Sequence, residues 1–334
     1  MACERALPET MRAAWIDAVG PAGNIRVGEL PVPAPGPTDV LVRVAAVAVD
    51  PVDTFVRSGA YPTPTPFPFV IGRDLVGTVA AAGAGASGFT PGEPVWCNSL
   101  GHDGRQGAAA GYAVVPADRL YRLPEGVDPV TAVAVVHPAA TAHLALSTHA
   151  GLCAGETVYI GGGGGHVGGA AIVLAGHTGA RIVTVAGADD LEHCRALGAD
   201  VALDYRDPDL ARTLRRAAPD GIDVHLDTSG HHDLDTALGS IAERGRIVVM
   251  AGITARPELP AGALYTRGAR LIGFAISTAT VTELAGAAAR INQLLGRGTL
   301  RPRAVEQLPL RAAADAHRRL ETGRARGVRL VLRP

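Results

Sequence analysis

Between residues 11 and about 125, apolar positions come in short runs punctuated by Pro and Gly, at 40–49, 70–81 and 92–97. Runs of that length bounded by turn residues predict short β-strands. The first is expected near Met11-Arg12-Ala13-Ala14-Trp15, with residues 1–10 as an N-terminal extension ahead of it. Prolines at 31–37 mark a turn region, and those at 61–68 fit either an ordered loop or a polyproline ligand. From about Asp128 the pattern changes to helix and strand in alternation. Residues 129–150, rich in Ala, Val and Leu, predict a long helix or helix pair broken around Pro138. Strands are expected at 158–160, 181–186, 201–204, 224–228 and 246–251, with a helix at 191–197. That alternation predicts an α/β unit with a doubly wound parallel sheet, whose ligand lies outside the carboxyl ends of the strands. Helices at 281–296 and 312–321 follow, and a closing strand at 328–332 is expected to return to the first domain.

The stretch that organises this pattern is 157–171. Val158, Tyr159 and Ile160 are β-favouring, five glycines follow at 161–165, and small residues from Gly169 onward suit a helix packed closely on a sheet. Gly163-x-Gly165-x-x-Gly168 has dinucleotide-binding spacing: one glycine for the turn, one for approach of the pyrophosphate, one for helix–strand packing. A flexible linker is the plainer alternative, but a linker would not be flanked by a buried strand and a new strand at 181.

Composition narrows the partners. With 334 residues and 47% hydrophobic, the chain is long enough for two packed cores. A net charge of -1 and a pI near 6.8 argue against nucleic acid or membrane as the main partner and favour a small molecule. All 31 basic residues are arginine, so lysine Schiff-base chemistry is excluded. Cys3, Cys97, Cys153 and Cys194 are dispersed, with no C-x-x-C pair and no sign of a disulfide framework. The start lacks an apolar signal region, and no later stretch is read as about 18 uncharged apolar residues, so the expected location is cytoplasmic.

The stretch 49–62, with Asp50-Pro51-Val52-Asp53 and Gly59-Ala60-Tyr61-Pro62, and the stretch 68–77, with Gly72-Arg73-Asp74, resemble the zinc-independent quinone oxidoreductases of the medium-chain dehydrogenase/reductase superfamily, which include zeta-crystallin. Gly111-Tyr112-Ala113-Val114-Val115-Pro116, Leu197-Gly198-Ala199-Asp200, Asp204-Tyr205-Arg206 and Asp227-Thr228-Ser229-Gly230 extend the resemblance over nearly the whole chain from Met11. It implies a GroES-like β-rich catalytic domain at 11–127 and 263–334, a Rossmann domain at 128–262, a nicotinamide cofactor and a homodimer.

The resemblance also assigns roles. The zinc positions of metal-dependent relatives match Asp50, Arg73 and His137, and because a guanidinium cannot ligate zinc, no metal is expected. His137 then stands as a hydrogen-bonded pocket histidine or a lone ligand. Tyr61 matches a Gly-x-Tyr turn beside the substrate in enoyl reductases, as proton donor or oxyanion stabiliser, with simple aromatic packing as the alternative. Relatives read Asn-Pro-Val-Asp/Glu with Tyr two residues on; here Asp50 replaces the Asn and Phe55 the Tyr. Asp50 is therefore either an acid–base partner of His137 or a solvated turn residue, and Asp53 is structural. For the cofactor, Gly163, Gly165, His166, Val167 and Gly168 face the pyrophosphate, and Ala186 and Gly187 end the second strand without the acid an NAD site offers there. Asp189 and Asp190 would oppose a 2′-phosphate, whereas Tyr205 and Arg324 match phosphate-binding positions, with Arg206 adjacent. NADPH is favoured, with NADH the alternative. Thr141, Ser229, Ala251, Gly252, Phe274 and Ile276 would border the nicotinamide. The reading is an NADPH-dependent quinone or enoyl reductase. A redox-neutral cyclase or lyase using Asp50 and His137, or a cofactor-binding protein of low activity, stand as alternatives. The polar segment 97–111, with His102, Asp103 and Arg105, is either a substrate-side loop or a solvated turn.

Overall fold

The computed structural model describes residues 7–334, so residues 1–6 of the expected extension and Cys3 lie outside it. The chain opens with β1 (Thr10–Ile16), β2 (Arg26–Pro31), β3 (Asp39–Ala48) and helix α1 (Pro51–Ser58). Next come β4 (Phe69–Val70), β5 (Asp74–Ala82), β6 (Pro94–Cys97), β7 (Tyr112–Pro116), β8 (Tyr121–Arg122) and α2 (Pro129–His143). The alternating part contains β9 (Thr157–Gly161), α3 (His166–Thr178), β10 (Arg181–Ala186), α4 (Leu191–Ala196), β11 (Val201–Asp204) and α5 (Leu210–Ala217). It continues with β12 (Ile222–Asp227), α6 (Leu234–Ser240), β13 (Ile241–Val249), α7 (Ala261–Thr266) and β14 (Arg270–Gly273). The last elements are α8 (Val281–Gly296), β15 (Val305–Pro309), α9 (Ala313–Glu321) and β16 (Arg329–Arg333).

These elements form two compact units, one ending at His137 and resuming at 284–334, the other spanning Pro138–Glu283. In the first, β3 pairs antiparallel with β5 and β7. The closing strand β16 also joins β3, with Val331 opposite Ala48. Pairing on several sides buries β3 at most positions, which is why its sequence is a nearly continuous apolar run. Helix α8 is tied to the same sheet by Trp96, fully buried, whose indole donates to Asn292 Oδ1 at 2.9 Å.

The second unit has strand order β11-β10-β9-β12-β13-β14, every pair parallel. Central β9 is flanked by β10 and β12 and buried from Val158 to Gly161. Three expectations are corrected. The stretch 263–283 belongs to this unit rather than to the catalytic domain, because β14 pairs with β13 and extends the parallel sheet. The helix at 129 does not break at Pro138 but runs through it to His143 and continues as a π-helical turn at Leu144–His149. The helix Pro129–His149, which has no Asp, Glu or Arg, is long and apolar enough to cross a membrane, contrary to the expectation that no such stretch exists; 78% of its apolar window is buried in the protein, so packed side chains take the place of lipid.

Within the first unit, α1 and α9 meet around two buried groups. The Arg57 guanidinium, 1% exposed, donates to Gly20 O at 2.6 Å and pairs with Glu321. His317 is also 1% exposed, and burial, reinforced by Arg57, pushes its imidazole down to about 3. The native state therefore keeps His317 neutral while the unfolded chain protonates it near the ordinary value of 6.5. Stability is lost as pH falls through 6.5 toward 3. In urea unfolding, the wild type is expected to lose about 2 kcal/mol between pH 7 and 5 that His317→Leu does not lose; identical pH slopes would contradict this.

Candidate functional site

In the first unit the chain leaves β3 and starts α1 at Asp50, with Pro51 in the first helical position and Asp53 two residues on. The Asp50 N–H donates to Asp53 Oδ2 at 2.8 Å, so the acid at the third helical position caps the helix start. Asp-Pro-x-Asp is a helix-start signal that the strand-dominated reading of 11–125 passed over. Gly59, left-handed at φ 82, ends the helix and turns the chain toward Tyr61. Gly72, with φ 93, turns the chain between β4 and β5 and delivers Arg73 and Asp74.

These turns, α2 and β16 gather six buried groups: Asp50, Asp53, Arg73, Asp74, His137 and Arg329, none more than 6% exposed. Asp50 Oδ1 accepts from Arg329 Nη1 at 2.9 Å, and Asp74 Oδ1 lies 3.0 Å from His137 Nδ1. The sequence placed a desolvated Asp50 near His137, and their ligand atoms lie within 4.8 Å of one another. The structure adds two partners that the sequence did not name, Arg329 on Asp50 and Asp74 on His137. Nor is Asp50 a solvated turn residue, being 2% exposed.

Burial opposes the Asp50 charge, but Arg329 and His137 outweigh it and hold the carboxyl well below its usual range. Burial and the Asp50 charge raise Asp53 to about 7. The same two causes push Asp74 well above the carboxylate range. Burial also opposes charge on His137, yet Asp74 and Asp50 prevail and lift it to about 9. Three carboxylates, two guanidiniums and one imidazole reach neutrality when one proton is shared among the carboxylates and the imidazole. The close Asp74–His137 pair retains such a proton at neutral pH.

The donor atoms of Asp50, Asp74 and His137 lie within 4.8 Å of one another, a spacing that a divalent cation needs. The rest of the cluster does not fit one. Arg329 already neutralises Asp50, and the buried Arg73 guanidinium adds a second fixed positive charge, so a dication would enter against two cations.

Tyr61 sits in the segment after α1 and borders a cavity of about 400 Å³ with Val19, Val56, Gly59 and Pro62 to Thr65. Its ring is 5.8 Å from that of His102. The polar segment 98–108 is an ordered loop stitched on both sides. Asp103 N–H donates to Thr63 Oγ1 at 2.8 Å and Gly104 N–H to Pro64 O at 3.1 Å. Leu100 N–H donates to Arg73 O and Ala108 N–H to Gly72 O. Gln106 Nε2 donates to Pro66 O and Pro68 O, which orders the proline-rich stretch.

In the second unit β9 runs into the glycine turn. Gly162, with φ 78, makes the left-handed step, so the turn glycine precedes the Gly163-x-Gly165-x-x-Gly168 frame. A Cβ on Gly163 would stand 2.2 Å from Thr184 Oγ1, and one on Gly168 would stand 2.2 Å from Gly162 O; both are close-packing glycines. Gly165 caps α3, whose first residues are His166 and Val167. At the end of β10, a Cβ on Gly187 would meet Arg206 Nη1 at 3.6 Å and Asp190 Oδ2 and Tyr205 Cε1 at 3.9 Å. Arg206 stacks over the Tyr205 ring at 4.4 Å. The ends of β9, β12 and β13 adjoin: Thr228 Oγ1 donates to Gly161 O at 2.7 Å, and a Cβ on Gly230 would meet Gly252 N at 2.9 Å. Asp227 accepts from the N–H groups of Ser229 and His232, while His232 Nε2 is 2.6 Å from Ala251 O. Phe274, just after β14, donates its N–H to Val249 O and lies 4.7 Å from the His149 ring; Ile276 opens the next short turn. Thr141 is buried in α2. Arg324 belongs to the first unit, in the turn after α9, with Nε on Thr322 Oγ1 at 3.0 Å.

Residues 36–125 match the alcohol dehydrogenase GroES-like domain and residues 167–292 the zinc-binding dehydrogenase domain. A quinone oxidoreductase of Sus scrofa is 30% identical over 306 residues, 91% of this chain and 92% of its own. An NADPH-dependent alkenal/one oxidoreductase of Arabidopsis thaliana is 28% identical, covering 97% of this chain and 80% of its own. Among solved structures, an NAD-dependent alcohol dehydrogenase aligns with TM-score 0.87 and 33% identity, over 97% of this chain and 100% of that one. A mycobacterial protein complexed with NADPH aligns with TM-score 0.84 and 29% identity, also over 97% and 100%.

The cluster electrostatics are open to a direct reading by nuclear magnetic resonance. His137 is expected to titrate near 9, and Asp74→Asn to drop it toward neutrality or below, because burial then dominates. An unchanged titration would separate the two groups.

Proposed function

This chain belongs to the zeta-crystallin-like quinone oxidoreductases of the medium-chain dehydrogenase/reductase superfamily, and from that premise we propose an NADPH-dependent reductase of quinones or electron-poor C=C bonds that works without metal. The observation that carries the reading is the likeness to a quinone oxidoreductase along 91% of the chain. When bound, a reduced nicotinamide supplies the hydride. The residues of the chain bind, orient and protonate.

The glycine turn at the end of β9 opens α3 and lies beside β12, where the strand order reverses. Backbone N–H groups at the start of α3 suit the pyrophosphate. Thr228, Ser229, Ala251 and Gly252 end the adjoining strands and suit the nicotinamide side. At the Gly187 corner the stacked Tyr205 and Arg206 favour a 2′-phosphate, with Arg206 standing beside Arg324 as a candidate for its charge. Asp190 shares that corner and argues the other way, so Arg206 decides the preference. In the first unit, the Asp74–His137 pair holds a proton for the reduced substrate, and Tyr61 lies beside the cavity as oxyanion donor. The redox-neutral alternative needs Asp50 as a free acid or base, and its bond to Arg329 disfavours that role. The chain is taken to act in the cytoplasm on a small molecule.

The second unit also suggests the assembly. Strand β14 is the sheet edge, and exposed Leu271, Tyr265, Leu259 and Ile253 lie on it or shortly before it. A second copy pairing there would satisfy the edge and cover these side chains. Sedimentation should show a dimer, reduced to a monomer by Leu271→Asp with Tyr265→Asp; a wild-type monomer would refute it.

Anaerobic loss of nicotinamide absorbance tests the chemistry. NADPH should be oxidised by quinones or enones at a rate unchanged by 1,10-phenanthroline. Arg206→Ala should raise KM for NADPH about tenfold and leave NADH nearly unaffected. No oxidation with any acceptor, or loss of activity on chelation, would contradict the proposal.

A further inference from the structure

We infer that the 98–107 loop, with Arg73 behind it, is a carboxylate-recognition site, so that the preferred quinone or enone substrates carry an acidic group; the inference rests on the reductase reading and names its substrate class.

The site is built around the cavity beside Tyr61. Thr63 and Pro64 line that cavity and also hold the loop through Asp103 and Gly104. The loop is therefore fastened to two of the residues that line the cavity. It presents His102, 5.8 Å from Tyr61, and Arg105, whose Nε is anchored on Ser99 O at 3.3 Å. The Arg105 side chain is 23% exposed, and its acidic neighbour, Asp103 at 3.6 Å, is 70% exposed. That pair is weak and open to water. A substrate carboxylate sheltered by the cavity can displace it and take two parallel bonds from the guanidinium.

Arg73 supplies the field. It is 2% exposed, and its Nε and Nη2, the edge of the guanidinium that accepts a carboxylate side-on, have no hydrogen-bond partner. Two of its acidic neighbours have other partners, Asp50 on Arg329 and Asp74 on His137, while Asp53, which accepts from the Asp50 N–H, is the carboxylate that acts on Arg73 most strongly. On the loop side positive charge is in excess, with the exposed Asp103 the one carboxylate acting on His102. Burial first, and then Arg73 and Arg105, push His102 down to about 4. Burial lowers Arg105 too, with Arg119 the next cause, Asp103 opposing and Arg73 contributing. Arg73, Arg105 and Arg119 thus act together on a neutral imidazole against Asp103 alone, a local excess of positive charge in a chain whose net charge is -1. An anion offsets that excess. The neutral His102 can donate one further hydrogen bond to it.

The acceptors 3-benzoylacrylate and its methyl ester share the same enone; the ester lacks the charge and has the more electrophilic C=C, so a preference for the acid reads recognition rather than intrinsic reactivity. With NADPH, wild type should prefer the acid, and the preference should shrink with added salt. Arg105→Met should lower kcat/KM for the acid by about tenfold or more, mainly through KM, while the ester changes little. Arg105 lies on the loop and outside the buried cluster, with a side chain 23% exposed, so its variant reads the site without disturbing the proton-holding groups. A wild type that prefers the ester, or an acid-to-ester ratio untouched by Arg105→Met, overturns the inference while leaving the reductase reading intact. If neither acceptor oxidises NADPH, the reductase reading fails instead. Calorimetry with benzoate then reads the site alone: binding weakened about tenfold by Arg105→Met supports it, and no binding to wild type overturns it.

Discussion

Burying a charge in an apolar interior is tolerated only when other charges answer it, and in the first unit that constraint ties distant parts of the chain together. Asp50 begins α1, Arg329 begins β16, and their 2.9 Å bond joins residues 279 positions apart in sequence. Removing either partner would strand the other in an environment where an uncompensated ion costs several kcal/mol. Asp74 and His137 form the second buried pair. Because the cluster is near neutrality only with a retained proton, its electrostatics and its capacity for acid–base chemistry are one property. The arginines whose charge opposes a dication at Asp50, Asp74 and His137 are the same groups that hold this balance.

The second unit rests on a steric constraint. Gly163 and Gly168 leave no room for a side chain beside Thr184 and Gly162, and this lets the turn after β9 fold tightly against β10 and the start of α3. That compactness leaves backbone N–H groups exposed at the helix start, which suits a phosphate. At the end of β10, Gly187 leaves a corner where Asp190, Tyr205 and Arg206 meet. A Cβ there would lie in ordinary van der Waals contact with all three.

How much of this was legible in the sequence follows from the range of the interactions. The parallel strands were readable because β9, β10 and β12 are largely buried and so carry mostly β-favouring apolar residues, interrupted in β12 by Asp223 and His225. The closing strand was readable for the same reason. β14 was not assigned, because an edge strand of four residues, three of them exposed and one half-buried, carries little apolar signal. α1 was written in its capping residues but masked by the surrounding strands. The helix through Pro138 was misread because a proline signals a break locally, whereas burial of the flanking helix overrides it. The Asp74–His137 and Asp50–Arg329 pairings join residues brought together only by the closed sheet, and no spacing rule connects them. Arg206 was noticed beside Tyr205, but its approach to Gly187 depends on the parallel register of β10 and β11.

The central claim is that hydride passes from the nicotinamide to a substrate carbon while the chain supplies or relays a proton. The most direct measurement uses NADPH deuterated at the transferring position of C4, with an enone acceptor and mass spectrometry of the product. One deuterium at the β-carbon, and none at the α-carbon unless the solvent is D2O, is the predicted result. A converted product carrying no deuterium from the cofactor would contradict the account.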